Sequence, residues 1–130
     1  EDIVYIAVQD NIAGGYSAAE KLFAQCQFPC GVFASTPIIL KGIMRYIDQH
    51  NLRIPEDVMV IAYGQAEAER IFSQSCTITN ISLPVALMSY DCLSIIDHLL
   101  RHEVNERQLR VYQGILTYGL SCPEVKSTEK

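Results

Sequence analysis

Residues 30–65 read CGVFASTPIILKGIMRYIDQHNLRIPEDVMVIAYGQ, and this stretch decides the fold. Its apolar opening, residues 31–34, breaks at Ser35-Thr36-Pro37. Thr36 suits an N-cap, because its hydroxyl accepts from the free N–H groups of a first helical turn. Pro37 suits the first helical position, where its fixed φ fits and its missing N–H is no loss. Ile39, Ile43, Met44 and Ile47 then recur at helical spacing. Asn51 is placed to stop the helix in the left-handed region. Residues 52–57 read as a turn, and the β-branched run 58–62 as a strand buried on both faces. Strand, helix and strand within about 30 residues make one βαβ unit. Ligands of open α/β sheets gather beyond the carboxyl ends of the strands. Here those ends are Ser35-Thr36 and Tyr63-Gly64-Gln65.

Outward from this unit, residues 3–8 are apolar and β-branched and predict a buried strand, closed by Gln9-Asp10-Asn11. A helix is expected over 13–27, with Tyr16, Ala19, Leu22, Phe23 and Cys26 on one face. Gly14-Gly15 would sit in its first turn, where a close backbone approach or a cap needs them. Phe28-Pro29 ends it, since a residue before proline avoids the α region. Beyond Gly64, residues 65–74 predict a short surface helix whose Ile71-Phe72 pair needs cover, either from this chain or from a partner. Residues 77–83 alternate and predict a strand. A long helix follows over 84–102, with Val85, Met88, Cys92, Ile95, Ile96 and Leu99 as its apolar stripe. Residues 109–120 read as mostly extended, and 124–130 as a polar end. The whole is an α/β fold with a parallel sheet flanked by helices in three layers.

The 130 residues make one domain or a piece of one. A hydrophobic share of 49% with 19% charged residues belongs to a core-rich α/β domain and excludes a disordered segment. The net charge is −5 and no lysine–arginine cluster occurs, so the chain has no footprint for nucleic-acid phosphates. No run of 18 apolar residues predicts a membrane helix, and Glu1-Asp2-Ile3-Val4 is not a signal peptide. The absence of an initiating methionine marks the chain as a fragment or a processed product. The five cysteines are an odd number, four of them in or beside apolar runs. They read as reduced thiols of a cytoplasmic protein rather than a disulfide framework.

Five motifs in order then become informative. They are Gly15-Tyr16-Ser17-Ala18-Ala19, Gly31-Val32-Phe33-Ala34 with Gly42, Ile54-Pro55-Glu56-Asp57-Val58, Val60-Ile61-Ala62-Tyr63-Gly64, and Thr79-Asn80-Ile81-Ser82-Leu83-Pro84. Together they resemble the C-terminal half of the effector-binding core of the LacI/GalR family of transcriptional regulators. The Pro-Glu-Asp-Val turn feeding a strand is the most specific, and the likeness runs from about residue 3 to 128. The resemblance implies a periplasmic-binding-protein-like type I fold, present in part. Residues of about 1–81 and 113–123 would form the C-terminal subdomain, and about 82–112 would cross to the other one. It implies a module that senses a small-molecule effector, a sugar or sugar derivative. It also implies a homodimer, with DNA contacted only through an N-terminal helix-turn-helix absent from this chain. A periplasmic-type sugar-binding protein of a transport system is the alternative on the same fold.

The resemblance also assigns residues. Gln9, Asp10, Asn11, Ser35, Thr36, Tyr63, Gly64 and Gln65 would form the ligand rim. Lys41 and Arg45, on the helix after the second strand, would join Ile71 and Phe72 in the dimer interface. Three rim positions depart from the family. Asp10 stands where an aromatic is usual, Thr36-Pro37 where Asn-Asp is usual, and Ala62-Tyr63-Gly64 where an aspartate is usual. Sugars need a ring face and carboxylates or amides, so these changes predict a different or weaker ligand. Thr36 could equally serve as a cap alone, and Gly64-Gln65 as a plain turn. His98 and His102 are four apart, but no third ligand accompanies them and Leu99 stands where a metalloprotease motif has Glu. They read as a solvated helix end. Cys26 and Cys30 read as buried, inert thiols. No nucleophile elbow, Ser-His-Asp set or paired acid/base carboxylates stand out, so no enzyme, cofactor or metal site is expected.

Overall fold

The computed structural model describes residues 3–64, 76–102 and 108–124. Among these residues, three helices and four strands follow in the order α1 (Ile12–Phe23), β1 (Cys30–Ala34), α2 (Pro37–Gln49), β2 (Val58–Tyr63), β3 (Thr79–Ser82), α3 (Val85–Leu100) and β4 (Ile115–Thr117). The chain forms two compact units, Glu1–Ser82 with Leu116–Lys130, and Leu83–Ile115.

The first unit is built on the βαβ stretch. Thr36 caps α2, its Oγ1 accepting from the Ile39 N–H at 3.2 Å, with Pro37 at the first helical position. Asn51 takes φ 53° just past the helix. Strands β1 and β2 run parallel in the register Cys30↔Val58 to Ala34↔Ala62, and β2 and β3 run parallel from Ile61↔Thr79 to Tyr63↔Ile81. The sheet order is β1-β2-β3-β4. Leu40, Ile43, Met44 and Ile47 of α2 bury against Val32, Ala34, Val58, Val60 and Ala62, with Ala19 and Phe23 of α1 in the same cluster. Each large side chain so buried contributes about 1.5–3 kcal/mol. Tyr46 joins the two helices, its ring 5.2 Å from Tyr16 and 5.5 Å from Phe23 between centroids.

The two helices cross at glycines. A Cβ on Gly42 would lie 2.2 Å from the Ile12 carbonyl oxygen, and one on Gly15 would lie 2.2 Å from that of Ile39. Both positions demand the smallest residue because backbone, not side chain, fills the space. This is the close approach that Gly15 predicted in the first turn of α1.

Ser121 ties the returning C-terminal segment to the sheet. Its Oγ accepts from the Thr79 N–H at 2.8 Å and donates to the Val60 carbonyl at 2.6 Å. Its own N–H and C=O bond to Thr77 and Val60. The residue is fully buried, and so is Thr79, whose Oγ1 bonds to the Cys122 carbonyl at 2.7 Å.

Several expectations need correction. Residues 3–8 form no strand, and Tyr5 is 86% exposed. A strand requires a neighbour's backbone, and the sheet starts at β1 with no described strand beside residues 3–8. Helix α1 stops at Phe23 rather than 27, the chain turning through bonds from Gln25 and Cys26 to the Leu22 carbonyl. Strand β2 buries alternate residues instead of both faces. Val58, Val60 and Ala62 point to the helices, whereas Met59 and Tyr63 are exposed. Only residues 115–117 of the extended segment 109–120 are strand. None of the five cysteines is buried: Cys92 is exposed and the others are half-buried. The helix expected over 65–74, with Gln65, Ile71 and Phe72, lies outside the described residues.

In the second unit α3 begins after Pro84 and ends at Leu100. No described side chain of it is buried. Of its apolar stripe, Met88 and Ile95 are half-buried and Val85, Cys92, Ile96 and Leu99 are exposed.

Candidate functional site

The rim at the carboxyl end of the parallel strands is assembled by local backbone chemistry. Asn11 is the N-cap of α1, its Oδ1 accepting from the Gly14 N–H at 2.7 Å. The Asn11 N–H donates to the Gln9 carbonyl at 2.8 Å, and its Nδ2 donates to Gln9 Oε1 at 3.3 Å. Gly14 packs so closely beneath this turn that a Cβ there would meet the Gln9 carbonyl oxygen. The turn therefore fixes Gln9, Asp10 and Asn11 above the first turn of α1.

Asp10 in turn reaches the next helix. Thr36 Oγ1 donates to Asp10 Oδ1 at 2.5 Å while accepting from Ile39 N–H. One hydroxyl is thus both the cap of α2 and the bridge to the loop before α1. A charge-assisted bond of this kind is short and strong for a side-chain pair. No described protein donor reaches Asp10 Oδ2, which leaves that oxygen able to accept from a ligand. Gly64 completes the rim beside Pro37. It has φ 133°, and a Cβ on it would lie 2.8 Å from Pro37 Cγ. Its N–H donates to the Ile81 carbonyl at 3.0 Å, which fixes the end of β2 against β3.

The expected ligand residues therefore divide. Gln9, Asp10, Asn11 and Thr36 form one hydrogen-bonded group, and Gly64 adjoins it through Pro37. Ser35 is exposed next to Thr36, and Tyr63 is 37% exposed at the end of β2. Gln65 is outside the described residues. Of the expected interface residues, Lys41 is half-buried and Arg45 exposed on α2, and Ile71 and Phe72 are not described. The capping role of Asn11 was missed in the sequence. Its signal was an Asn three residues before Gly14 at the start of an apolar helix.

The second unit has a separate small cleft of about 220 Å³ lined by Asp91, Ser94, Ile95, His98, Gln108 and Arg110. Tyr112 Oη donates to Asp91 Oδ2 at 2.7 Å, and this bond raises the tyrosine pKa. None of the expected rim residues lies there. His102 sits beyond the end of α3 with φ 58°, so it does not share a helix face with His98. Among the described residues no three His, Cys, Asp or Glu side chains group to hold a metal ion. No described helix is long and apolar enough to cross a membrane.

Comparison with known proteins is consistent in kind. The periplasmic binding protein-like domain matches residues 2–122. The HTH-type transcriptional repressor PurR of Pasteurella multocida is 33% identical over 63 residues, 48% of this chain and 19% of that protein. A LacI family transcriptional regulator from Enterococcus faecalis V583, solved with bound ribose, superposes with a TM-score of 0.78 at 23% identity. That likeness covers 97% of this chain and 46% of the other. A LacI family transcription repressor from Corynebacterium glutamicum gives 0.78 at 19%, covering 92% of this chain and 45% of its own. The chain thus spans about a fifth of the curated relative and under half of the solved proteins. At these identities the solved structures establish the fold.

Proposed function

The chain belongs to the periplasmic binding protein-like domain family, and we propose that it serves there as the ligand-sensing part of a LacI/GalR-type transcriptional regulator. Repressor names among the relatives support a regulator over a transport protein. The observation that carries a sensing role is the Asp10–Thr36 bridge. It links the loop before α1 to the start of α2 at the place where ligands of such sheets bind. A ligand that accepts from Thr36 or donates to Asp10 alters a contact between two elements, not a single side chain.

The module acts by binding rather than turnover. A ligand that prefers one arrangement of the core shifts its population, and operator affinity follows. DNA is reached through a helix-turn-helix outside this chain, in the cytoplasm. The effector is a polar small molecule of sugar-derived type, with Asp10, Gln9 and Thr36 supplying polar contacts and Tyr63 a ring face. Unmodified monosaccharides are poorer candidates, because three of the positions that usually supply the family's sugar contacts are changed, at Asp10, at Thr36-Pro37 and at Ala62-Tyr63-Gly64. Lys41 and Arg45 contribute to a homodimer through the outer side of α2.

Scanning fluorimetry against a panel of sugars and sugar derivatives tests the rim. No unmodified monosaccharide should raise the Tm by several degrees. A derivative that does raise it should lose the effect in Asp10→Asn and Thr36→Val. A shift that survives both substitutions would mean that the effector binds away from the rim. Operator DNA should bind the chain no better than it binds an acidic control protein of equal charge, and tighter binding would contradict the division of labour.

A further inference from the structure

The cleft of about 220 Å³ lies wholly within the unit Leu83–Ile115. Asp91, Ser94, Ile95 and His98 line it from α3, at the i, i+3, i+4 and i+7 spacing of one helix face. Gln108 and Arg110 line the other wall. They alternate with Leu109 and Val111, which stand 77% and 86% exposed, as side chains alternate along an extended backbone. Tyr112, the next residue in that alternation, ties the two walls together, its Oη donating to Asp91 Oδ2 at 2.7 Å.

The charges of this cleft do not neutralise each other. At the end of α3, Arg101 and Asp97 form an ion pair at 2.9 Å. Among the described residues Arg110 has no such partner, and Asp91 accepts from Tyr112 alone. One guanidinium without an acceptor and one carboxylate with an oxygen to spare therefore share a small space. An anion would be drawn to Arg110 and opposed by Asp91, and a cation the reverse. A molecule that carries both charges is opposed by neither. A guanidinium takes a carboxylate through two parallel hydrogen bonds. Ser94 and Gln108 add a hydroxyl and an amide, and Ile95 adds an apolar patch. The volume falls below the about 300–1,000 Å³ of sites for drug-sized ligands, so the molecule is small.

We propose that this cleft binds a small zwitterionic α-amino acid, with its carboxylate on Arg110, its ammonium on Asp91 and its side chain against Ile95. The site shares no residue with the strand-end rim and does not depend on the rim's effector.

The test titrates the isotopically labelled full chain with L-alanine and follows backbone amide and arginine side-chain signals by NMR. The signals of Ser94, Ile95 and Arg110 should move along one saturating curve at millimolar concentration. Propionate lacks the ammonium of L-alanine and ethylamine lacks its carboxylate, so each should bind about tenfold more weakly or worse. Inorganic phosphate should also bind more weakly than L-alanine. Arg110→Gln and Asp91→Asn should each weaken L-alanine about tenfold, whereas Glu20→Gln on α1 should leave its affinity unchanged. The proposal is overturned if L-alanine gives no saturable shift at these residues. It is equally overturned if propionate, ethylamine or phosphate binds there as tightly as L-alanine, or if Arg110→Gln and Asp91→Asn both retain the parent affinity. The ligand comparisons on the parent chain decide the matter even where a variant fails to fold.

Discussion

At the scale of single residues, Thr36 carries two roles with one oxygen. It caps α2 and holds Asp10. Thr36→Ala should cost about 1 kcal/mol in urea unfolding from the lost cap alone. Thr36→Ser should recover most of that loss, and an unchanged midpoint in the alanine variant would show that the cap is dispensable. Asp57 offers a pH test. Its carboxylate takes the Arg53 backbone N–H at 2.9 Å and the guanidinium at 2.9 and 2.7 Å. These bonds hold its pKa down to about 2. A depressed folded pKa means a contribution that is complete above the unfolded value of about 3.9 and disappears as the pH falls through about 2. The stability gap between the parent and Asp57→Asn should be present at pH 5 and close on the way to pH 2. A gap independent of pH would sever this turn from the acid limb. The cap, the proline and Asn51 were legible in the sequence because their chemistry is local. The Asp10–Thr36 bond was not, since its partners are 26 positions apart and nothing local announces the pairing.

At the scale of elements, the sequence carried α2, β1 and β2 well, because a cap, a helical apolar period and a β-branched run each act over a few residues. It failed at residues 3–8, where propensity for a strand is satisfied only by a neighbour, and that neighbour is not among the described strands. It also overstated burial in β2. A continuous apolar run fits a strand covered on both sides, but α1 and α2 cover one side, and Phe33 of β1 remains 58% exposed on the other. Ser121 was unreadable for a different reason. A lone serine near a polar end gives no hint that it will lie fully buried and bridge β2 and β3. Ser121→Ala should destabilise the chain by about 1–3 kcal/mol, because the Thr79 N–H and the Val60 carbonyl lose their buried partner. Thermal unfolding checks it, and an unchanged Tm would mean that water takes the place of the hydroxyl.

At the scale of the whole molecule, the five ordered motifs identified the family from fragments that are individually weak. Their order and spacing encode a topology, which is set by the strands and helices and not by any single side chain. The strand ends at which the rim was expected were legible, since they are set by the sheet, whereas the bond that joins Asp10 to Thr36 there was not. Assembly is the next level. The proposed homodimer would form through α2, on which Arg45 is exposed. Sedimentation equilibrium of the parent should give a dimer at micromolar concentration, and Arg45→Glu should shift the equilibrium toward monomer. A monomeric parent would rule this assembly out.

The glycine crossing of α1 and α2 has an implication for engineering. Asn11 and Thr36 begin the two helices that touch backbone to backbone at Gly15 and Gly42. The spacing between the two ends of the rim is therefore set by main-chain van der Waals contact and not by the side chains that face a ligand. If the proposed rim binds the effector, a combinatorial library that varies Gln9, Ser35 and Tyr63 while keeping both glycines, Asn11 and Thr36 would change recognition on a frame of constant width. The two glycines are in this sense a fixed chassis, on which the side chains above can be exchanged without moving α1 against α2.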